Sequence, residues 1–230
     1  KKISVSKIEE LICDPYAVYV RDVLKIRKIE NFPIRNNYKL RGTLIHKVLE
    51  EFMTEFSKKL LNEKKAFKLF EDILEKHFYS TSISKDVLYS WLSKFRKNGK
   101  IFIKNEFKKK DENIVQGLEI FGNISLNLNN NEKILIFAKV DRVDLSKNNL
   151  VIYDYKTSLI EKTKLKNFSP QLDVEALILK KGGFKNIPFD KNKNLLVSLI
   201  SLSSNSREIY KVIDEQELST ILNSLEKLLN

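Results

Sequence analysis

Apolar residues recur at helical spacing through the first half of the chain. They fall in four sets: Ile8, Leu11 and Ile12; Ile45, Val48, Leu49, Phe52, Met53 and Phe56; Phe67, Phe70, Ile73, Leu74 and Phe78; and Leu88, Trp91, Leu92 and Phe95. Steps of three and four place each set on one side of a helix, so residues 4 to 110 are expected to be helical, with the stripes serving as core. Ser6 is placed to cap the first helix, and Pro15 to open a second.

From about residue 112 the period changes. Ile114 to Leu128 and Ile134 to Leu145 read as strands joined by the turn-rich Asn129-Asn130-Asn131, and Leu150 to Lys156 follows as a third after the connection 146–149. Short connections between successive strands predict an antiparallel meander. Pro170 to Lys181 reads as a helix ended by Gly182-Gly183, and the strands Leu195 to Leu202 and Arg207 to Val212 extend the sheet. Asp214 with Glu217 forms a capping box ahead of a final helix. The expected fold class is α/β in the α+β sense: a mixed central sheet flanked by helices, plus an N-terminal helical region. One domain over 1–230 is expected, helical over residues 1–110 and built on the sheet over residues 111–230.

Charge narrows the partners. The chain carries 42 Lys and Arg against 30 Asp and Glu, a formal net charge of +12, which favours a polyanion through counterion release but also fits a solvated lysine-rich surface. Cys13 is the single cysteine, so an internal disulfide or a four-cysteine iron–sulfur or zinc site is excluded, and a small core residue is expected there. No apolar run approaches the roughly 18 to 20 residues that span a bilayer, which points to a cytoplasmic protein. The chain begins at Lys1 without an initiator Met, from which a fragment of a larger protein is expected.

The candidate chemistry lies at strand ends. In Ile152-Tyr153-Asp154-Tyr155-Lys156, alternation puts Asp154 and Lys156 on one face. Thirteen positions earlier, Asp141-Arg142-Val143-Asp144 ends the neighbouring strand, and a meander brings these ends together. Converging carboxylates repel unless a cation sits between them, and hard oxygen ligands suit Mg²⁺ or Mn²⁺. On the residues alone, surface ion pairs among Asp141, Arg142 and Asp144, with Asp154 neutralised by Lys156, remain an open alternative. His46 in Arg41-Gly42-Thr43-Leu44-Ile45-His46 gains weight only beside these acids; His77 has no comparable setting and is read as structural.

The succession of a helix with GxxxH, a strand with DRxD, then DYK, then a helix carrying Gln171-Leu172 resembles the RecB-type branch of the PD-(D/E)xK nucleases. The opening Ser4-Val5-Ser6-Lys7-Ile8-Glu9 with Asp14-Pro15-Tyr16, and Gln171-Leu172-Asp173-Val174-Glu175, look closest to the C-terminal nuclease domain of AddB-type helicase–nuclease subunits. The resemblance implies a restriction-endonuclease-like core and a metal, Mg²⁺ or Mn²⁺, bound by His46, Asp141, Asp154 and the Tyr155 carbonyl. Lys156 would be the catalytic lysine, acting with Asp154, Asp141 and Gln171.

Glu175 stands where the family's QxxxY motif has tyrosine, which leaves open whether it turns to the metal. Glu119 and Glu50 are read as structural acids. The iron–sulfur cluster of many relatives is not expected, since Asp14 stands in the cysteine position. Gln171, Arg142 and Lys164 are candidate DNA contacts, whereas Tyr153 and Tyr155 are read as packing residues. The implied activity is metal-dependent exonuclease cleavage of DNA, taken as single strands from a helicase, with an AddA-type partner subunit in double-strand break repair. A catalytically silent DNA-binding or assembly module, or a free-standing CRISPR-associated-type exonuclease, are the alternatives.

Overall fold

The computed structural model describes residues 1–27, 38–110, 112–129, 132–158, 170–187, 189–190, 192–203 and 208–230. Strand β1 (Lys2–Ser4) leads into α1 (Val5–Cys13), α2 (Pro15–Val18) and a π-helical turn Tyr19–Val23. The long helices α3 (Tyr38–Lys58), α4 (Glu63–Tyr79) and α5 (Lys85–Lys109) follow. Then come β2 (Asn113–Asn127), β3 (Lys133–Ser146), β4 (Asn149–Lys156), α6 (Pro170–Lys180), β5 (Asn194–Ser201), β6 (Glu208–Ile213) and α7 (Glu215–Leu229). This is a mixed α/β fold, as the patterning predicts.

Local signals explain most boundaries. Asp14 accepts from the Ala17 amide at 2.9 Å and starts α2 with Pro15 behind it; Asp214 and Glu217 form the capping box of α7. The cap of α1 is Ser4, which accepts from Lys7 N, rather than Ser6. The shift follows from β1, a strand of three residues too short to leave an alternating pattern. Helix α6 ends at Lys180 and the chain turns away at Gly182, whose φ of +71° suits glycine. At Gly183 an added Cβ would lie 2.3 Å from the Asn123 carbonyl oxygen, so the backbones of β2 and this turn meet too closely for a side chain.

The sheet runs β1-β3-β4-β5-β6, with β2 paired to β3 along its other edge. Strands β2, β3 and β4 form the expected antiparallel meander; β1 is parallel to β3 and β4 parallel to β5. Since β2 occupies one edge of β3, β1 and β4 share the other. Strand β1 pairs with Leu135–Phe137 and β4 with Arg142–Leu145, so β3 crosses a fork between them at 138–141.

Two cores flank the sheet. One holds α1, α6 and α7 against Ile136, Ile152 and Val197; the other holds α3, α4 and α5 against Val151, Tyr153, Tyr155 and Ile200. The stripes of α3, α4 and α5 supply most of the helical side of the second core, joined by Phe102 and Ile103 farther along α5. Cys13, expected inside, is exposed: α1 buries only Val5 and Ile8, and its last turn faces outward. Among the described residues, no helix is long and apolar enough to cross a membrane.

Candidate metal centre

Both hairpin registers converge on one row. β2 and β3 pair so that Leu118 faces Arg142 and Ile120 faces Val140, which sets Glu119 opposite Asp141. β3 and β4 pair up to Arg142 opposite Tyr153, and the next positions are Asp141 and Asp154. Three acids on three adjacent strands therefore share a row where the β3–β4 ladder ends at the fork.

The backbone adapts at this row. Val140 and Val143 both enter the α6-side core, whereas Arg142 turns to the helical side, so strict alternation breaks at Asp141. Glu119 has φ +51°, a left-handed conformation that a glutamate adopts only when its surroundings enforce it. The Asp141 carboxylate accepts the Tyr155 amide on Oδ2 at 2.8 Å, and its Oδ1 lies 3.1 Å from His46 Nδ1. Helix α3 delivers His46 from the face that buries Ile45 and Leu49 in the helical core.

His46, Glu119 and Asp141 each offer a ligand atom, all within 4.8 Å of one another. An imidazole and two carboxylates form a donor set that fits a divalent cation. Glu119 also ion-pairs with Lys139.

Asp154 occupies the α6 side of the row and is 5% exposed. Lys156 Nζ donates to its Oδ1 at 3.0 Å and lies 2.8 Å from Oδ2, off the line for a hydrogen bond. Buried Oδ2 is left without a hydrogen-bond donor. Gln171 Nε2 reaches Asp154 Oδ1 at 3.4 Å and Glu175 Oε1 at 3.1 Å, so α6 presents residues i and i+4 to the acid.

Crowded negative charge appears in the protonation. Burial, then the Asp141 charge, pushes the Asp154 carboxyl up to about 6 against the pull of Lys156 and His46. Burial and then Asp154 drive Glu175 well above the usual carboxylate range. Burial works to lower the His46 and Lys156 values, but Asp141 outweighs it at His46 and Asp154 at Lys156, so both bases stay above their ordinary values. These groups are poised for a cation that would relieve the acids.

Of the residues expected at the site, His46, Asp141, Asp154, Tyr155, Lys156 and Gln171 cluster here. Tyr155 meets Asp141 through its amide, and its ring, like that of Tyr153, is buried as packing. Arg142 requires correction as a DNA contact. It is 2% exposed, and its guanidinium donates to Asp144 and Glu106 at 2.6 Å, so it has no free face to offer a phosphate. Lys164 lies outside the described residues. His77 pairs with Glu51 at 2.7 Å, in keeping with a structural role.

Glu119, expected to be a structural acid, joins the row instead. Folding the chain symmetrically about the turn at 129–131 sets 119 against 141, and folding about 146–149 sets 141 against 154, so counting outward from the turns is the signal that could have found it.

The sequence pattern of the PD-(D/E)XK nuclease superfamily matches residues 2–230, and the chain belongs to that superfamily. An uncharacterized protein of Rickettsia felis is 31% identical over 224 residues, covering 92% of this chain and 25% of its own length. One from Rickettsia conorii is 32% identical over 195 residues, covering 79% of this chain and 22% of its own length. The chain thus spans about a quarter of these relatives. The crystal structure of SSO0001 covers 93% of this chain at 12% identity with a TM-score of 0.33, a likeness too slight to bear on fold or function. The mixed six-stranded sheet flanked by helices accords with a restriction-endonuclease-like core.

Proposed function

We propose that this chain is a metal-dependent deoxyribonuclease module, with His46, Asp141 and Asp154 holding Mg²⁺ or Mn²⁺ and Glu119 completing the cage. The observation that carries the reading is the cluster of His46, Glu119 and Asp141 beside the lysine-paired carboxylate of Asp154. A bound divalent ion supplies charge to polarise a scissile phosphate and to acidify an attacking water. The protein's own groups do the positioning. The Tyr155 amide fixes the Asp141 carboxylate, and Gln171 and Lys156 hold Asp154. Lys156, partly exposed beside that acid, can swing its ammonium toward charge growing on phosphoryl oxygens.

An exonuclease taking single strands from a helicase, in the cytoplasm, with an AddA-type partner in double-strand break repair, is the biological setting we propose. It rests on the motif resemblance, and the much greater length of the relatives leaves room for a helicase-related parent. The test is Mg²⁺-dependent release of nucleotides from end-labelled single-stranded DNA, run beside Lys156→Ala. Wild-type cutting and a silent variant are expected. Retained DNA binding with no wild-type cutting would turn the reading to a silent binding module.

A further inference from the structure

The β2/β3 ribbon buries only one of its faces where it extends past the helical half. Ile124, Leu126, Ile136 and Ala138 enter the α6-side core, while the alternating Phe121, Asn123, Lys133, Phe137 and Lys139 are exposed. Phe121 is 67% and Phe137 38% exposed, unusual for two phenylalanines one register step apart on an open sheet. Phe121 stands opposite Lys139, and Asn123 opposite Phe137. Lys139 Nζ lies 5.5 Å from the centre of the Phe121 ring and also ion-pairs with Glu119.

A continuous succession results: Phe137, then Phe121 with Lys139, then the Glu119–Asp141 row, each step two residues or roughly 7 Å along the strands. Exposed Lys2 borders the same face from β1, opposite Leu135.

We propose that this open ribbon face is the track on which a single nucleic-acid strand approaches the metal row, an inference that rests on the nuclease reading. Phe137 and Phe121 are the stacking platforms, and Lys133 and Lys139 meet the phosphates. Protruding rings select unpaired bases, because a duplex keeps its base faces stacked inside; every base has such a face, so the track is indifferent to sequence. Lysines interleaved with the rings, on a chain of net charge +12, complement a polyanion. A protein partner docked on the same rings would have to bury those ammonium groups.

The experiment is fluorescence anisotropy of labelled oligo(dT), with Ca²⁺ in place of Mg²⁺, for the wild type, Phe121→Ala/Phe137→Ala and Phe121→Trp/Phe137→Trp. The alanine pair, which removes two base–ring stacks, is expected to bind roughly thirtyfold or more weakly at unchanged melting temperature. The tryptophan pair is expected to keep wild-type affinity and to lose fluorescence on binding. Wild-type affinity in the alanine pair, or no binding by the wild type, overturns the track; the first result would assign the face to the rest of a longer protein. Binding is read without cutting, so a wild type that binds through these rings but does not cleave in Mg²⁺ defeats the nuclease reading alone.

Discussion

Asp141 and Asp144 lie three residues apart on one strand, yet their carboxylates belong to opposite kinds of charge cluster. Asp144 faces the helical core, where Arg142 lies between it and Glu106 and Lys109 ion-pairs with Glu106. There each acid has a cation and each guanidinium branch an acceptor. Asp141 faces the fork, where it shares a histidine, and Glu119, Asp154 and Glu175 beside it are answered, among the described residues, by Lys139 and Lys156 alone. A closed, balanced cluster serves the fold, whereas an open cluster with surplus acid calls for something brought from outside.

Breaking the closed cluster should cost the most. Arg142→Met strands Glu106 and Asp144 inside the protein and should lower stability by about 3–5 kcal/mol in urea unfolding. Replacing Glu106, Arg142 and Asp144 together with apolar residues of similar volume should recover most of that loss, which would confirm that the cluster has no chemical task. In the open cluster the effect moves from folding to rate. Asp154→Ala or Lys156→Ala should reduce Mg²⁺-dependent cleavage by at least about 10²- to 10³-fold while the urea midpoint changes little. If either variant cuts at the wild-type rate, the catalytic assignment is wrong. Glu119→Gln sharpens the contrast further: it should weaken divalent-ion affinity about tenfold or more, whereas a purely structural Glu119 would leave that affinity untouched.

A further contrast lies in the pH dependence. Asp154 in the folded protein titrates at about 6, above the ordinary aspartate value of 3.8. Between those values the folded state holds the extra proton, so this group stabilises the fold at low pH and loses that contribution as pH rises toward 6. Relative to Asp154→Asn, the wild type should therefore lose stability from pH 4 to pH 6 without metal, by no more than about 1.4 kcal/mol per pH unit. A difference that stays flat across that window would mean that burial and the Asp141 charge do not raise the Asp154 carboxyl.

The fold was legible where one period ran long. The stripes of α3, α4 and α5 were predicted as buried helix faces and the strands β2–β4 within a residue, because amphipathic helices and alternating strands repeat their signal. β1 was not, since three residues cannot show a period, and Cys13 was misplaced because the exposed end of α1 resembles its buried start. At the site, His46, Asp141, Asp154 and Lys156 stood out through motif spacing, but the burial of Arg142 and the approach of Glu119 to His46 and Asp141 did not. Their fates depend on which face of the sheet each side chain takes, and the break in alternation at Asp141 together with the left-handed backbone at Glu119 settles that only in three dimensions.

If His46, Asp141 and their neighbours hold a divalent ion, calorimetric titration of Mn²⁺ into the wild type and into Asp141→Asn reads it most directly. Saturable binding to the wild type that disappears in the variant is predicted. Equal binding by both proteins, or none by the wild type, would contradict it.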